Sequence, residues 1–220
     1  MKLPERVCFV DVETTTDSPL TGHLWEIGLI VREPWATIRP DCPEARAYLD
    51  GEYWWLVEPP SMEHAQTTAL RIGRYYQRTK GCTWADPRET ARTFAALTAD
   101  AAFVAKNPAF DAGFLDKFLR ANGQAPAWDY RLVDIGSLYL GWLAGQRHLA
   151  GQLPDTVPWD DPHGLGLLKT GPPLPESTSL SEITTALGLD LSAYQIHEAL
   201  SDARQVRDIW DLIKPYGAGR

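Results

Sequence analysis

The chain has 220 residues, 44% of them hydrophobic, and a formal net charge of −8. That length and apolar content suit one sizeable domain with a real core, and no apolar run approaches the roughly 20 residues needed to span a bilayer. The acidity argues against a protein that coats nucleic acid, because such binders gain affinity by counterion release, but it allows an enzyme that binds weakly and brings its own divalent cations. Cys8, Cys42 and Cys82 are far apart and form no C-x-x-C pair, so neither a zinc ribbon nor a redox motif is signalled. Each reads as a small buried or surface residue. The opening Met-Lys-Leu-Pro-Glu-Arg runs straight into an apolar strand and resembles neither a signal nor a transit peptide, so the expected compartment is the cytoplasm, without a membrane.

In chain order, residues 6–13, 24–32 and about 52–58 read as three strands forming an antiparallel meander. Residues 65–78 read as a helix. A second helix starts at Asp86, which can cap it, with Pro87 at the first position and Glu89 completing a capping box. Residues 102–106 give a fourth strand, and 110–121 an amphipathic helix carrying Phe110, Phe114, Leu115, Phe118 and Leu119. Residues 131–135 are a fifth strand and 136–144 a further helix. From 145 to 178 six prolines and several glycines predict a long loop. Ser179 and Glu182 form another capping box, and Gly188 ends that helix. The last helix runs from about Glu198 to Lys214, with Ala199, Val206, Ile209, Trp210 and Ile213 inward. The expected fold class is α/β: a five-stranded mixed sheet flanked by helices, in a single domain over residues 1–220.

Chemistry concentrates in three places. Asp11 and Glu13, two apart on the first strand, share one face, where like charges destabilise each other unless a divalent cation joins them. A second D-x-E, Asp50 and Glu52 around Gly51, reads as a solvated turn. Asp111 follows Asn107-Pro108-Ala109-Phe110 at the end of strand four, where sites in open α/β sheets gather; an acid favoured by the helix dipole is the plainer reading. His197 and Asp202 are compatible with one site if His197 lies in the loop before the last helix and Asp202 one turn inside it. An exposed histidine and a surface acid are the alternative. His64, His148 and His163 show no partner.

Taken as a set and in this order, Asp11, Glu13, Asp111, His197 and Asp202 resemble the three motifs of the DEDDh (DnaQ-like) 3′→5′ exonucleases of the ribonuclease H-like superfamily. The resemblance runs from about residue 6 to 213 and thins at 34–65 and 145–178. The text from Tyr53 to Arg78 and the Trp/Arg-rich composition look most like phage-encoded members. The resemblance implies a ribonuclease H-like fold and phosphodiester hydrolysis with two Mg²⁺ or Mn²⁺ ions. Asp11 would bridge them, Glu13 and Asp202 would complete the site that activates water, and Asp111 would help hold the other ion. His197 would be the general base. Backbone around Val12, Thr14 and Thr15 would meet the terminal nucleotide, with Asn107 and Phe110 at the pocket border, although Phe110 reads equally as core.

Arg71, Arg74 and Arg78, with Tyr75 and Tyr76, read either as a phosphate track or as a solvated helix face. The expected substrate is the 3′ end of single-stranded DNA, in proofreading or end-trimming, releasing nucleoside 5′-monophosphates, with a DNA polymerase as a candidate partner. The rivals are an exoribonuclease with the same chemistry, separated by contact with the 2′-hydroxyl, and a polymerase accessory module with little activity.

Overall fold

The computed structural model describes residues 4–34, 48–152 and 179–213. Its centre is a five-stranded sheet in the order β3-β2-β1-β4-β5. The strands are β1 (Val7–Thr14), β2 (Leu24–Pro34), β3 (Tyr48–Leu56), β4 (Ala102–Ala105) and β5 (Leu132–Asp134). The first three pair antiparallel, while β4 and β5 continue from β1 in parallel, so the sheet is mixed as the sequence predicts.

Both faces of the sheet are buried, which explains why β2 reads as an almost continuous apolar run. Alternation along β1 divides the core in two. Cys8, Val10 and Val12 face Ala91 and Phe94 of α3 (Pro87–Thr98) and Phe114, Leu115 and Leu119 of α4 (Pro108–Ala121). Val7 and Phe9 face the other way. They pack with Ile135 and Tyr139 of α5 (Ile135–Gln152), Ile183 of α6 (Leu180–Ala186) and Val206, Ile209 and Trp210 of α7 (Ala199–Ile213). The two caps read from sequence are present: Asp86 accepts from the Glu89 amide, and Ser179 and Glu182 form a reciprocal box. Gly188 adopts φ 71° just beyond α6.

Three expectations need correction. The helix proposed for 65–78 is two short pieces, α1 (Thr67–Ile72) and α2 (Tyr75–Arg78), because Gly73 and a left-handed Arg74 at φ 56° turn the chain between them. Asp50 and Glu52 are not a solvated turn but lie on β3. Asp50 pairs with Arg32, and Glu52 with Arg204 and Arg207 of α7, and these ion pairs offset the poor strand propensity of the acids. The helix after β5 continues to Gln152 rather than stopping at 144; Pro154 is the first proline of the segment, and two glycines alone did not stop the helix. The remainder of the proposed loop, and with it His163 and Cys42, lies outside the described residues, as does the side chain of His148. Among the described residues no helix is long and apolar enough to cross a membrane.

One position governs how α7 meets the sheet. Gly28 on β2 stands opposite Asp11. A Cβ there would come within 2.2 Å of the backbone carbon of Ala199 and 2.3 Å of the Leu200 nitrogen. Only glycine lets the first turn of α7 rest directly on the strands, a use of strand glycine for close backbone approach.

Candidate active site

Asp11 and Glu13 lie on the α7 side of β1, near its carboxyl end, and are half-buried. The close seating of α7 at Gly28 delivers Asp202, in its first turn, to the same spot. Asp111 arrives over the sheet end from α4. Its carboxylate accepts from the amide of Val12, the residue between Asp11 and Glu13, at 3.1 Å. The preceding Asn107 is left-handed at φ 56°, which turns the chain sharply from β4 into the helix that carries Asp111.

His197 lies in the loop before α7, with φ 64°. Its amide donates to Asp202 Oδ2 at 3.1 Å. One ligand atom each from Glu13, His197 and Asp202 lie within 4.8 Å of one another. The structure therefore gathers all five residues singled out in the sequence at the carboxyl ends of β1 and β4. Left-handed non-glycine residues are uncommon and collect at functional sites. Here three of the four among the described residues, Arg74, Asn107 and His197, flank this cluster.

The electrostatics are those of buried, mutually repelling acids. Burial is the first cause pushing Asp11 well above the ordinary carboxylate range, followed by the charges of Asp111, Asp202, Glu13 and Glu26. Glu13 is raised by burial and then by Glu26 and Asp202, with Arg78 opposing. Asp111 and Asp202 are also raised by burial, against the lowering effect of their hydrogen bonds from Val12 and His197. Asp202 Oδ1 is buried without a hydrogen-bond partner. Hard oxygen donors, mutual repulsion and an orphaned carboxylate oxygen together suit a divalent cation at this cluster, where the ligand atoms grouped within reach of one ion are those of Glu13, His197 and Asp202. Burial lowers His197 below its usual value, which favours the neutral imidazole.

The five residues proposed for substrate contact fall into two groups. Asn107 is exposed and Phe110 half-buried, its ring 4.9 Å from that of Phe114, at the start of α4. The β1 group is committed internally. The Val12 amide serves Asp111, the Thr14 hydroxyl donates to the Thr16 carbonyl, and Thr15 exchanges backbone and side-chain bonds with His23.

Sequence reasoning missed Glu26 and the position of Arg78. Glu26 faces Glu13 across the β1–β2 pair and is fully buried. Its Oε1 accepts from Arg78 and from Trp54 Nε1, while Oε2 has no partner. The signal was present: a lone acid within Leu24-Trp25-Glu26-Ile27-Gly28-Leu29 must be compensated if the strand is buried. Gly73 also touches the site, since a Cβ there would stand 2.7 Å from Glu13 Oε2.

Sheet order and flanking helices define an α/β ribonuclease H-like fold, the class shared with exonuclease I. No family model and no curated protein matches the chain. Solved structures do. Escherichia coli exonuclease I in a zinc-bound complex with single-stranded DNA matches with a TM-score of 0.63 at 16% identity, over 97% of this chain and 41% of that one. A further exonuclease I structure gives 0.62 at 17% identity over 96% and 41%, and the apo form 0.60 at 16% over 97% and 42%. The chain thus spans about two fifths of the length of these structures.

Proposed function

We propose that the chain is a divalent-metal-dependent 3′→5′ exonuclease of the DEDDh (DnaQ-like) type, acting on single-stranded DNA ends and releasing nucleoside 5′-monophosphates. The observation that carries this reading is the convergence of four acids and one histidine, from β1, α4, the loop before α7 and its first turn, at one end of the sheet. The fold likeness to exonuclease I, whose structures include complexes with oligonucleotides such as dT13, supports the choice of DNA. The 220 residues are read as one exonuclease domain.

Asp11, Glu13, Asp111 and Asp202 would hold the cations. Two such ions, Mg²⁺ or Mn²⁺, supply Lewis-acid stabilisation of charge on phosphoryl oxygens and make water more acidic. His197, neutral at pH 7 and aimed by its amide bond to Asp202, takes the proton from the attacking water. The water oxygen bonds to phosphorus, the bond to the 3′ oxygen of the penultimate nucleotide breaks, and that oxygen departs to be protonated. Asn107 and Phe110 border the terminal nucleotide, and Phe110 offers its ring for stacking with the base. Val12, Thr14 and Thr15 shape the floor beneath it.

The test is incubation of purified protein with 5′-labelled single-stranded DNA and matching RNA, with Mg²⁺ or Mn²⁺, with EDTA, and with Asp11→Ala. The expected result is a ladder of shortened DNA that disappears in EDTA and in the variant. Absence of cleavage with either metal would overturn the reading, and faster loss of RNA would move it to an exoribonuclease.

A further inference from the structure

The Arg78 guanidinium joins three parts of the site rim that are far apart in sequence. From the end of α2, Nη1 donates to the carbonyl of His197 at 2.9 Å and lies 3.4 Å from that of Gly73. Nη2 is paired with Glu26, and Nε stands 3.7 Å from Glu198 Oε1. The guanidinium carbon lies 5.2 Å from the ring centroid of Trp25, whose indole N–H donates to the Thr14 carbonyl at 3.2 Å. With its side chain 11% exposed, Arg78 is packed into the wall rather than offered to solvent. Its burial takes it out of the phosphate track read from the sequence, whereas Arg71 and Arg74 are exposed on the same segment.

The backbone it grips is the one that most needs gripping. His197 occupies the left-handed region, a conformation that a non-glycine residue keeps only when its surroundings fix it. The loop is held on its amide side by Gln195 N–H to Ser201 Oγ at 2.8 Å and His197 N–H to Asp202 at 3.1 Å. On the carbonyl side the hydrogen bond comes from Arg78. Two anchors on one residue, one from each side, fix its backbone and with it the direction in which its side chain leaves the chain. The fork geometry of arginine allows one side chain to hold this carbonyl and Glu26 together, which a lysine ammonium does less well.

We propose that Arg78 is a positioning residue for the nuclease site: it clamps the His197 carbonyl to the β2 carboxylate Glu26 and thereby aims the imidazole at Glu13 and Asp202. This rests on the exonuclease reading. Arg78 makes no hydrogen bond to the acids assigned to the cations; its charge opposes the rise of Glu13 and Asp202, and among the five site residues its hydrogen bond goes to the His197 carbonyl.

The test is a double-mutant cycle read by single-turnover cleavage, Mn²⁺ titration followed by electron paramagnetic resonance, and amide hydrogen exchange. Arg78→Met is expected to lower kcat by about 10²-fold, with KM and Mn²⁺ affinity within about threefold, as for a misplaced catalytic group. In a His197→Ala background the same change is expected to cost nothing further. Arg78→Lys should recover part of the loss. Exchange over residues 198–202 should quicken in Arg78→Met. If that variant does not fold, Glu26→Gln combined with Arg78→Met removes the stranded buried carboxylate and allows the same measurements. Wild-type kcat in Arg78→Met, an additive loss with His197→Ala, or a matching loss of Mn²⁺ affinity would each overturn the proposal. A wild-type protein that cuts nothing would sink the exonuclease reading instead. The exchange data would still judge the clamp, with unchanged exchange counting against it.

Discussion

Asp202 carries two competing demands. Its Oδ2 holds the His197 amide, while Oδ1 is buried with no partner, among carboxylates that already raise one another. Replacing it with asparagine removes a charge that the metal-free fold tolerates poorly. Asp202→Asn is expected to gain on the order of 1 kcal/mol in denaturant unfolding at pH 8 in EDTA, the scale of relieving one unsatisfied buried polar group. The same variant should lose cleavage. A protein destabilised by the change would argue that Asp202 is structural. His197→Ala, by contrast, should leave Mn²⁺ binding largely intact and lower turnover by about 10² to 10⁴, the usual contribution of a general base. Near-normal turnover would remove His197 from the mechanism.

Elements reach the site through close approaches that a single methyl group would spoil. Gly28 sets the height of α7 above β2, and that height decides whether Asp202 and His197 meet the β1 acids. Gly28→Ala is expected to destabilise by about 1–3 kcal/mol, as overpacking does. It should also weaken Mn²⁺ binding, because the helix must lift to admit the methyl. Calorimetric titration showing wild-type Mn²⁺ affinity in a folded Gly28→Ala protein would contradict this account of the helix seating. The same logic explains the broken helix at Gly73. A continuous helix from 65 to 78 would satisfy local periodicity, but the turn at Gly73 and Arg74 brings the chain in against Glu13 and places Arg78 beside Glu26. β3 shows the converse. Its Asp-Gly-Glu core has turn composition, and the strand is held by pairing with β2 and by Arg32, Arg204 and Arg207.

For the whole molecule, the acid cluster links stability to pH and to cations. Asp11, Glu13, Asp111 and Asp202 all bind protons more tightly folded than unfolded. The stability they contribute is therefore fully present below unfolded carboxylate values of about 4 and is lost as pH rises through the elevated folded values. Carboxylates paired with arginine, such as Asp129 and Glu52, are lowered and act in the opposite sense, losing stability as pH falls, which makes pH 5 a better reference than pH 3. Metal-free protein is expected to melt at a lower temperature at pH 8 than at pH 5. Mg²⁺ or Mn²⁺ should raise the melting temperature markedly at pH 8 and little at pH 5, because a bound cation stabilises only the folded state. A melting temperature that is flat with pH, or indifferent to cations at pH 8, would count against a cation pocket.

The sequence by itself determined the class of the sheet, the direction of its first three strands, the cap at Asp86, the capping box at Ser179 and the identity of the five residues that meet. The elements follow from local rules, since alternation fixes strand faces and a cap needs a hydroxyl or carboxylate at one position; the five residues stood out only as a set, through their resemblance to the DEDDh motifs. Tertiary structure alone decided that Asp50 and Glu52 join a strand, that the segment from 65 to 78 breaks, and that Glu26 and Arg78 stand behind the acid pair. Those features depend on what crosses from a distant segment of the chain: a helix terminus resting on a glycine, or an arginine reaching a carbonyl 119 positions away. No periodicity within a window records such a meeting, because its energy belongs to the packed state and not to either segment.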